Sequence, residues 1–290
     1  MENQMATNHV RTTSLPTATH PLIVNAEEQL QRLKSSELTS TSSHSTICQN
    51  LDGLRKLYEC VDDVLLLPIN QQVLSLEKHA KLLEQVSDVS LNVVDTCSIV
   101  KDAFSQIKGR VQLLESSLRR KRGGESNLSN EVDAYLASNK KLNKVISKYF
   151  RDLLNHTEKN YTIVIDDSDL ASSISLIKGV EEVSLTILES TLSFISNPKI
   201  RSKASGLSLF SKLLKTKRVS CEGADISEVE KIDMELLLIQ SKQKDYSQIQ
   251  SVLKKLEIFE SSIQELEEGL EAMFRHLVKT RVSLLNLLNH

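Results

Sequence analysis

Arg11-Thr12-Thr13-Ser14-Leu15-Pro16 places an arginine three residues before a serine. That spacing suits a kinase whose carboxylates hold the guanidinium while the Ser14 hydroxyl takes a phosphoryl group. The phosphate would then offer its oxygens to the arginine cluster of a phosphoserine-binding adaptor. Further on, Lys199, Arg201, Lys203, Lys212, Lys215, Lys217 and Arg218 lie between Pro198 and Cys221 with no acidic residue among them. Leu207, Leu209, Phe210, Leu213 and Leu214 sit inside the same run, which makes it a short basic amphipathic segment. Such a segment either docks its apolar residues on the fold as a connection between helices, or lies on an anionic membrane surface at about 1 kcal/mol per basic residue. Nucleic acid is disfavoured, because a single aromatic is present there for base stacking.

Other combinations lack a partner. Asp62 and Asp63 follow Glu59, but adjacent helical residues point apart and no base is close in sequence, so a solvated acidic face is expected. Asp166, Asp167, Ser168 and Asp169 lack the glycine and terminal glutamate of a calcium loop and are expected to cap a helix. The histidines show no HxxxH or HExxH spacing, and Cys48, Cys60, Cys97 and Cys221 form no CxxC pair. Neither a phosphate-binding glycine loop nor a nucleophile elbow occurs. The expectation is therefore no catalytic residue, no cofactor and no metal.

The elements that must position these groups are helical. The chain has no Trp, 4% aromatic residues, 8 Gly and 4 Pro in 290 residues, too few strand and turn formers for a β fold. Its 36 basic and 38 acidic residues leave a formal charge of −2, no global field for nucleic acid or membrane. No run reaches the roughly 18 apolar residues of a membrane span, and the first residues lack the apolar stretch of a secretory signal. A cytoplasmic protein is expected, peripheral to a membrane if the basic segment binds one. The glycosylation-like triplets at Asn127, Asn155 and Asn160 then read as chance matches.

Residues 1–24, rich in Thr and Asn, are expected to form a disordered tail, followed by one helical-bundle domain over 25–290 with loops near 39–46, 119–129, 156–169 and 197–224. The first helix is placed near Asn25, with Glu27 and Glu28 in its first turn. Leu51, Leu54, Tyr58, Val61 and Leu65 define a helix that Pro68 stops. A long pattern then runs from Gln71 to Leu118, in which Val93, Cys97, Val100, Phe104, Ile107, Val111, Leu114 and Leu118 alternate spacings of four and three. Val132, Tyr135, Leu136, Leu142, Val145, Ile146 and Phe150 mark the next helix, and Leu170 to Ile195 another. Tyr161 to Ile165 is β-like but has no strand to pair with, so it reads as loop or helix entry. From Ile226 to Asn289 one dominant helix is expected, with Val252, Leu256, Phe259, Ile263, Leu266, Leu270, Met273 and Leu277 repeating the four–three alternation. These patterns predict an all-α, elongated antiparallel bundle with coiled-coil-like helices, whose two long seams pack either on each other or on another chain.

Ser14-Leu15-Pro16 with His20-Pro21, GLRKLYECVDDVLLLP from Gly53 to Pro68, EVDAYLASNKKLNK from Glu131 to Lys144 and KTRVSLLNLLN from Lys279 to Asn289 resemble a land-plant family of uncharacterised helical proteins related to the BYPASS proteins. The resemblance runs in order along nearly the whole chain. The BYPASS proteins are linked to root and shoot development, so the resemblance implies a plant source, a helical domain and a developmental or signalling context, and it supplies no catalytic residue. Where the family often carries a basic residue between its Ser-Leu-Pro and His-Pro elements, this chain has Thr17-Ala18-Thr19, which argues against a basic targeting arm.

The function expected from these readings is a non-enzymatic adaptor or regulator working through unidentified protein partners. The alternative is a peripheral membrane or vesicle-trafficking factor that uses the segment from Lys199 to Arg218. An enzyme would need a convergent set of polar residues, and no such set is apparent in the sequence.

Overall fold

A computed structural model describes residues 20–39, 43–74, 76, 79–120, 128–160, 168–196, 227–241 and 246–289. Its elements are helices: α1 (Pro21–Thr39), α2 (His44–Leu65), α3 (Pro68–Leu74), α4 (Ala80–Arg120), α5 (Leu128–Asn160), α6 (Ser168–Ile195), α7 (Glu228–Ser241) and α8 (Tyr246–Leu288). No strand occurs among the described residues, and the fold is all-α as expected.

The fold is organised around α4 and α8, of 41 and 43 residues. At 1.5 Å per residue each spans about 60 Å. All eight seam residues from Val93 to Leu118 and all eight from Val252 to Leu277 are buried, and the two helices pack on each other more extensively than any other pair. Their partners run in opposite directions: Ser87 meets Arg281, Lys101 meets Glu271, Lys108 meets Glu267 and Arg119 meets Glu257. The pair is therefore antiparallel, and the two seams meet within one chain.

Helix α2 lies on α8, and α6 packs against α1, α2 and α4. Buried residues Ile174, Leu176, Ile177, Val180, Val183, Leu185, Ile187 and Leu188 lie on more than one side of α6, as a helix surrounded by others requires. One continuous hydrophobic core links residues of α1 to α8. Close approach explains Gly53 and Gly179: a Cβ at either would stand 2.7 Å from a leucine methyl of α1, on Leu33 and Leu30.

Several boundaries differ from expectation. Helix α1 begins at Pro21, inside the stretch 1–24 read as tail, and its first turn holds no acidic residue. Proline suits the first helical position because its missing N–H would have no partner there, and burial of Ile23 and Ala26 carries the helix upstream of Asn25. Pro68 both follows α2 and opens α3, where Asn70 Nδ2 donates to the Val64 carbonyl at 2.7 Å. The long pattern from Gln71 is interrupted between Leu74 and Ala80, where His79 Nδ1 stands 2.7 Å from the Val73 carbonyl oxygen. The C-terminal stretch divides into α7 and α8. Ser227 caps α7 by accepting from Glu230 N–H at 3.1 Å, with Glu228 and Glu230 in the first turn. Val145, placed in the core by periodicity, is 63% exposed on α5. The run Tyr161 to Ile165 and the side chain of Phe150 lie outside the described residues.

Candidate functional site

Polar contacts tie α8 both to α2 and to α4. Asp62, expected on a solvated face, is buried: its Oδ1 accepts a 2.6 Å hydrogen bond from Thr280 Oγ1, and its Oδ2 lies 3.1 Å from Lys279 Nζ. Bonding to Asp62 pushes the Lys279 ammonium pKa up. The sequence neighbours Glu59 and Asp63 suggest a solvated acidic face for Asp62, whereas its partner Thr280 lies on the last helix, out of reach of any local pattern. The nearest sequence signal is position: Asp62 follows the buried pair Tyr58 and Val61 at helical spacing.

A partly exposed charged chain borders this contact on α2. Arg55 donates to Asp52 at 2.8 Å and to Glu59 at 2.5 Å, and His276 of α8 lies 3.5 Å from Glu59. Hydrogen bonds from Lys56 and Arg55 hold the Asp52 carboxyl below its usual range. Along α4 and α8, Lys101 contacts Glu271 at 2.5 Å and sits 4.3 Å from the Phe274 ring centroid, while Lys108 contacts Glu267 at 2.8 Å. Hydrogen bonds from Lys101 and Arg275 lower the Glu271 pKa. These pairs set which residues of α8 face which residues of α4; each acid accepts from cations and none lies beside an activated nucleophile.

At the opposite end of α2 a second group forms. His44, the first residue of α2, has Nε2 3.5 Å from Cys48 Sγ and 3.4 Å from Glu265 Oε2 on α8. His44 and Cys48 lie one turn apart, so a helix starting at His44 stacks their side chains. Ser43 fixes that start by accepting from Thr46 N–H at 3.3 Å. The Phe194 ring packs on the imidazole with centroids 6.1 Å apart and continues to Phe259 at 5.8 Å. Burial, then the Glu265 charge, raise the Cys48 thiol pKa. The HxxxC spacing is the signal the sequence carried for this pair; Glu265 had none.

Two further acids are withdrawn from water, Glu181 fully and Asp233 in part. Glu181 on α6 is buried, and desolvation, then Glu182, push its pKa well above the usual carboxylate range. Close by, Tyr58 and Ser184 share a 2.9 Å hydrogen bond. Asp233 on α7 accepts from Asn139 Nδ2 of α5 at 3.3 Å, and burial raises its pKa to about 6. The Cys97 thiol in the α4–α8 seam is pushed up to about 12 by burial.

Ser14 and the basic residues Lys199, Arg201, Lys203, Lys212, Lys215, Lys217 and Arg218 lie outside the described residues, as do Cys221, Asp166 and Asp167. No described helix is long and apolar enough to cross a membrane.

Neither the curated proteins nor the solved structures contain a match to this chain. The family model described as Protein BPS1 matches residues 50–287. That span runs from the second turn of α2 to the last residues of α8 and takes in both long seams, Asp62, Thr280 and Glu265. The chain belongs to the BPS1 family, the BYPASS-related group that its sequence motifs resemble.

Proposed function

We propose that this chain is a non-enzymatic regulator of plant root and shoot development that acts through protein contacts. Family membership over residues 50–287 is the observation that carries the developmental part. The contact part is supported by α7, which buries Val229, Ile232, Leu236 and Ile239 while Met234, Leu237 and Leu238 are 43%, 50% and 52% exposed. Apolar side chains three and four residues apart on the outer face of a helix form a stripe of the kind partner proteins cover. The tail would add regulation through phosphorylation at Ser14 and capture by a phosphoserine-binding adaptor.

The test is complementation of a plant line lacking this gene with the double variant Met234→Glu, Leu237→Glu. The variant should keep its helical circular dichroism and melting temperature and fail to restore root and shoot growth. Full rescue would overturn the role of this face.

The basic run from Lys199 to Arg218 supports a second reading, a peripheral membrane or trafficking factor. Under it the chain co-sediments with anionic vesicles at low salt and is released at moderate salt, and Glu at Lys212, Lys215 and Arg218 abolishes pelleting. Absence of pelleting with the unaltered chain rules that reading out.

A further inference from the structure

We propose that His44, Cys48 and Glu265 form a binding site for a zinc-class divalent cation that joins the start of α2 to α8. The three ligand atoms lie within 4.8 Å of one another. Bonds of about 2.0–2.1 Å to imidazole nitrogen, 2.3 Å to thiolate sulfur and 2.0–2.2 Å to carboxylate oxygen, at tetrahedral angles, require N···S near ~3.6 Å and N···O near ~3.4 Å. The corresponding separations are 3.5 Å and 3.4 Å. Glu265 is the most exposed of the three, with 60% of its side chain accessible, so its carboxylate can turn to close the remaining edge.

The donor set fits the ion. Imidazole, thiolate and carboxylate together suit zinc, whereas calcium and magnesium take oxygen ligands. A deprotonated Cys48 and an ionised Glu265 carry two negative charges, which cancel the two positive charges of the cation. On binding, the Cys48 S–H bond breaks, the sulfur lone pair forms the metal bond and the proton passes to solvent. Three protein ligands leave a fourth position for water. The Ser43 cap and the Phe194 ring hold His44 in place before any ion arrives. Without a cation the same contacts amount to a half-exposed imidazole–carboxylate pair and a weak thiol hydrogen bond, worth little to the fold.

The experiment uses the full chain, purified under a non-chelating reductant and stripped of metal. Cobalt(II) is added first, because a thiolate ligand gives a sulfur-to-cobalt charge-transfer band in the near ultraviolet and a tetrahedral site gives intense visible bands. One equivalent should saturate both, and zinc should displace the cobalt. Cys48→Ser should abolish the charge-transfer band and weaken zinc binding at least about tenfold in competition with a colorimetric chelator, and His44→Gln should weaken it similarly. Cys60→Ser and Cys221→Ser should leave the band intact, and circular dichroism should show all variants folded. If the unaltered chain gives no charge-transfer band, or if the band survives Cys48→Ser, the site does not exist as proposed.

Discussion

Asp62 of α2 accepts a 2.6 Å hydrogen bond from Thr280 of α8, and both residues are almost fully buried, at 1% and 2% exposure. The bond joins helices far apart in sequence, and the second oxygen of the same carboxylate lies 3.1 Å from Lys279 Nζ. A buried carboxylate stripped of a donor keeps its full desolvation cost, so this pair holds the register of α2 against α8 more firmly than its single bond suggests. Thr280→Val should cost about 2 kcal/mol in denaturant unfolding. A double-mutant cycle with Asp62→Ala should return a coupling of about 1–2 kcal/mol. Additive losses would show that the two side chains act independently.

Neighbouring leucines on α4 should respond in opposite ways to truncation. Leu114 is 2% exposed and faces α8, whereas Leu113 is 69% exposed. Leu114→Ala should destabilise by about 2–5 kcal/mol through lost burial and a residual cavity. Leu113→Ala should stay within about 0.5 kcal/mol. Thermal unfolding of the two single variants checks both, and equal shifts would mean that the α4–α8 seam is misplaced.

Glu181 makes stability fall with rising pH. Its folded-state pKa lies above the unfolded value because burial penalises the anion, so the folded chain binds the extra proton. That stabilisation is present below the unfolded carboxylate pKa and is lost as pH rises through the folded one. Glu181→Gln should therefore be more stable than the unaltered chain at pH 8, by on the order of 1 kcal/mol. The difference should shrink toward pH 4.5. A constant difference across that range would assign the effect to packing instead.

Asp233, raised to about 6 by burial, contributes in the same direction over a narrower window. Stability from this residue should decline between about pH 4 and pH 6 and change little above it. The carboxyl resonance of Asp233, followed by NMR titration, should show a midpoint near pH 6. A midpoint in the ordinary aspartate range would mean that α5 and α7 admit water at this contact.

Lys108 and Glu267 should show a modest, orientation-independent pairing across α4 and α8. Both side chains are about a quarter exposed, and the ion pair is 2.8 Å long. Lys108→Glu should cost about 1 kcal/mol, and the charge-swapped double variant with Glu267→Lys should recover most of it. Lys108 Nζ also donates to Gln264 Oε1, and a swap no more stable than the single variant would show that this bond carries the interaction.

Helix content and core faces were readable because they depend on neighbours three and four residues away. The structure buries every residue that the alternation marks from Val93 to Leu118 and from Val252 to Leu277. Local signals were weaker at ends and edges. Pro68 is a stop signal for α2 and also opens α3, and Val145 shares the periodicity of its core neighbours yet lies just beyond the covered strip of α5.

By itself the sequence determined the helical class, the two long seams and the family, since residue spacing along the chain expresses each of them directly. Tertiary structure alone decided that the seams meet within one chain, that Asp62 is buried on Thr280, and that Glu265 reaches His44 and Cys48. Those facts depend on which helices fold back against each other, and a periodic apolar stripe accepts any partner of matching shape. The choice among partners comes from the whole packing arrangement, where burying one polar group is tolerable only if another helix brings its counterpart to the same place.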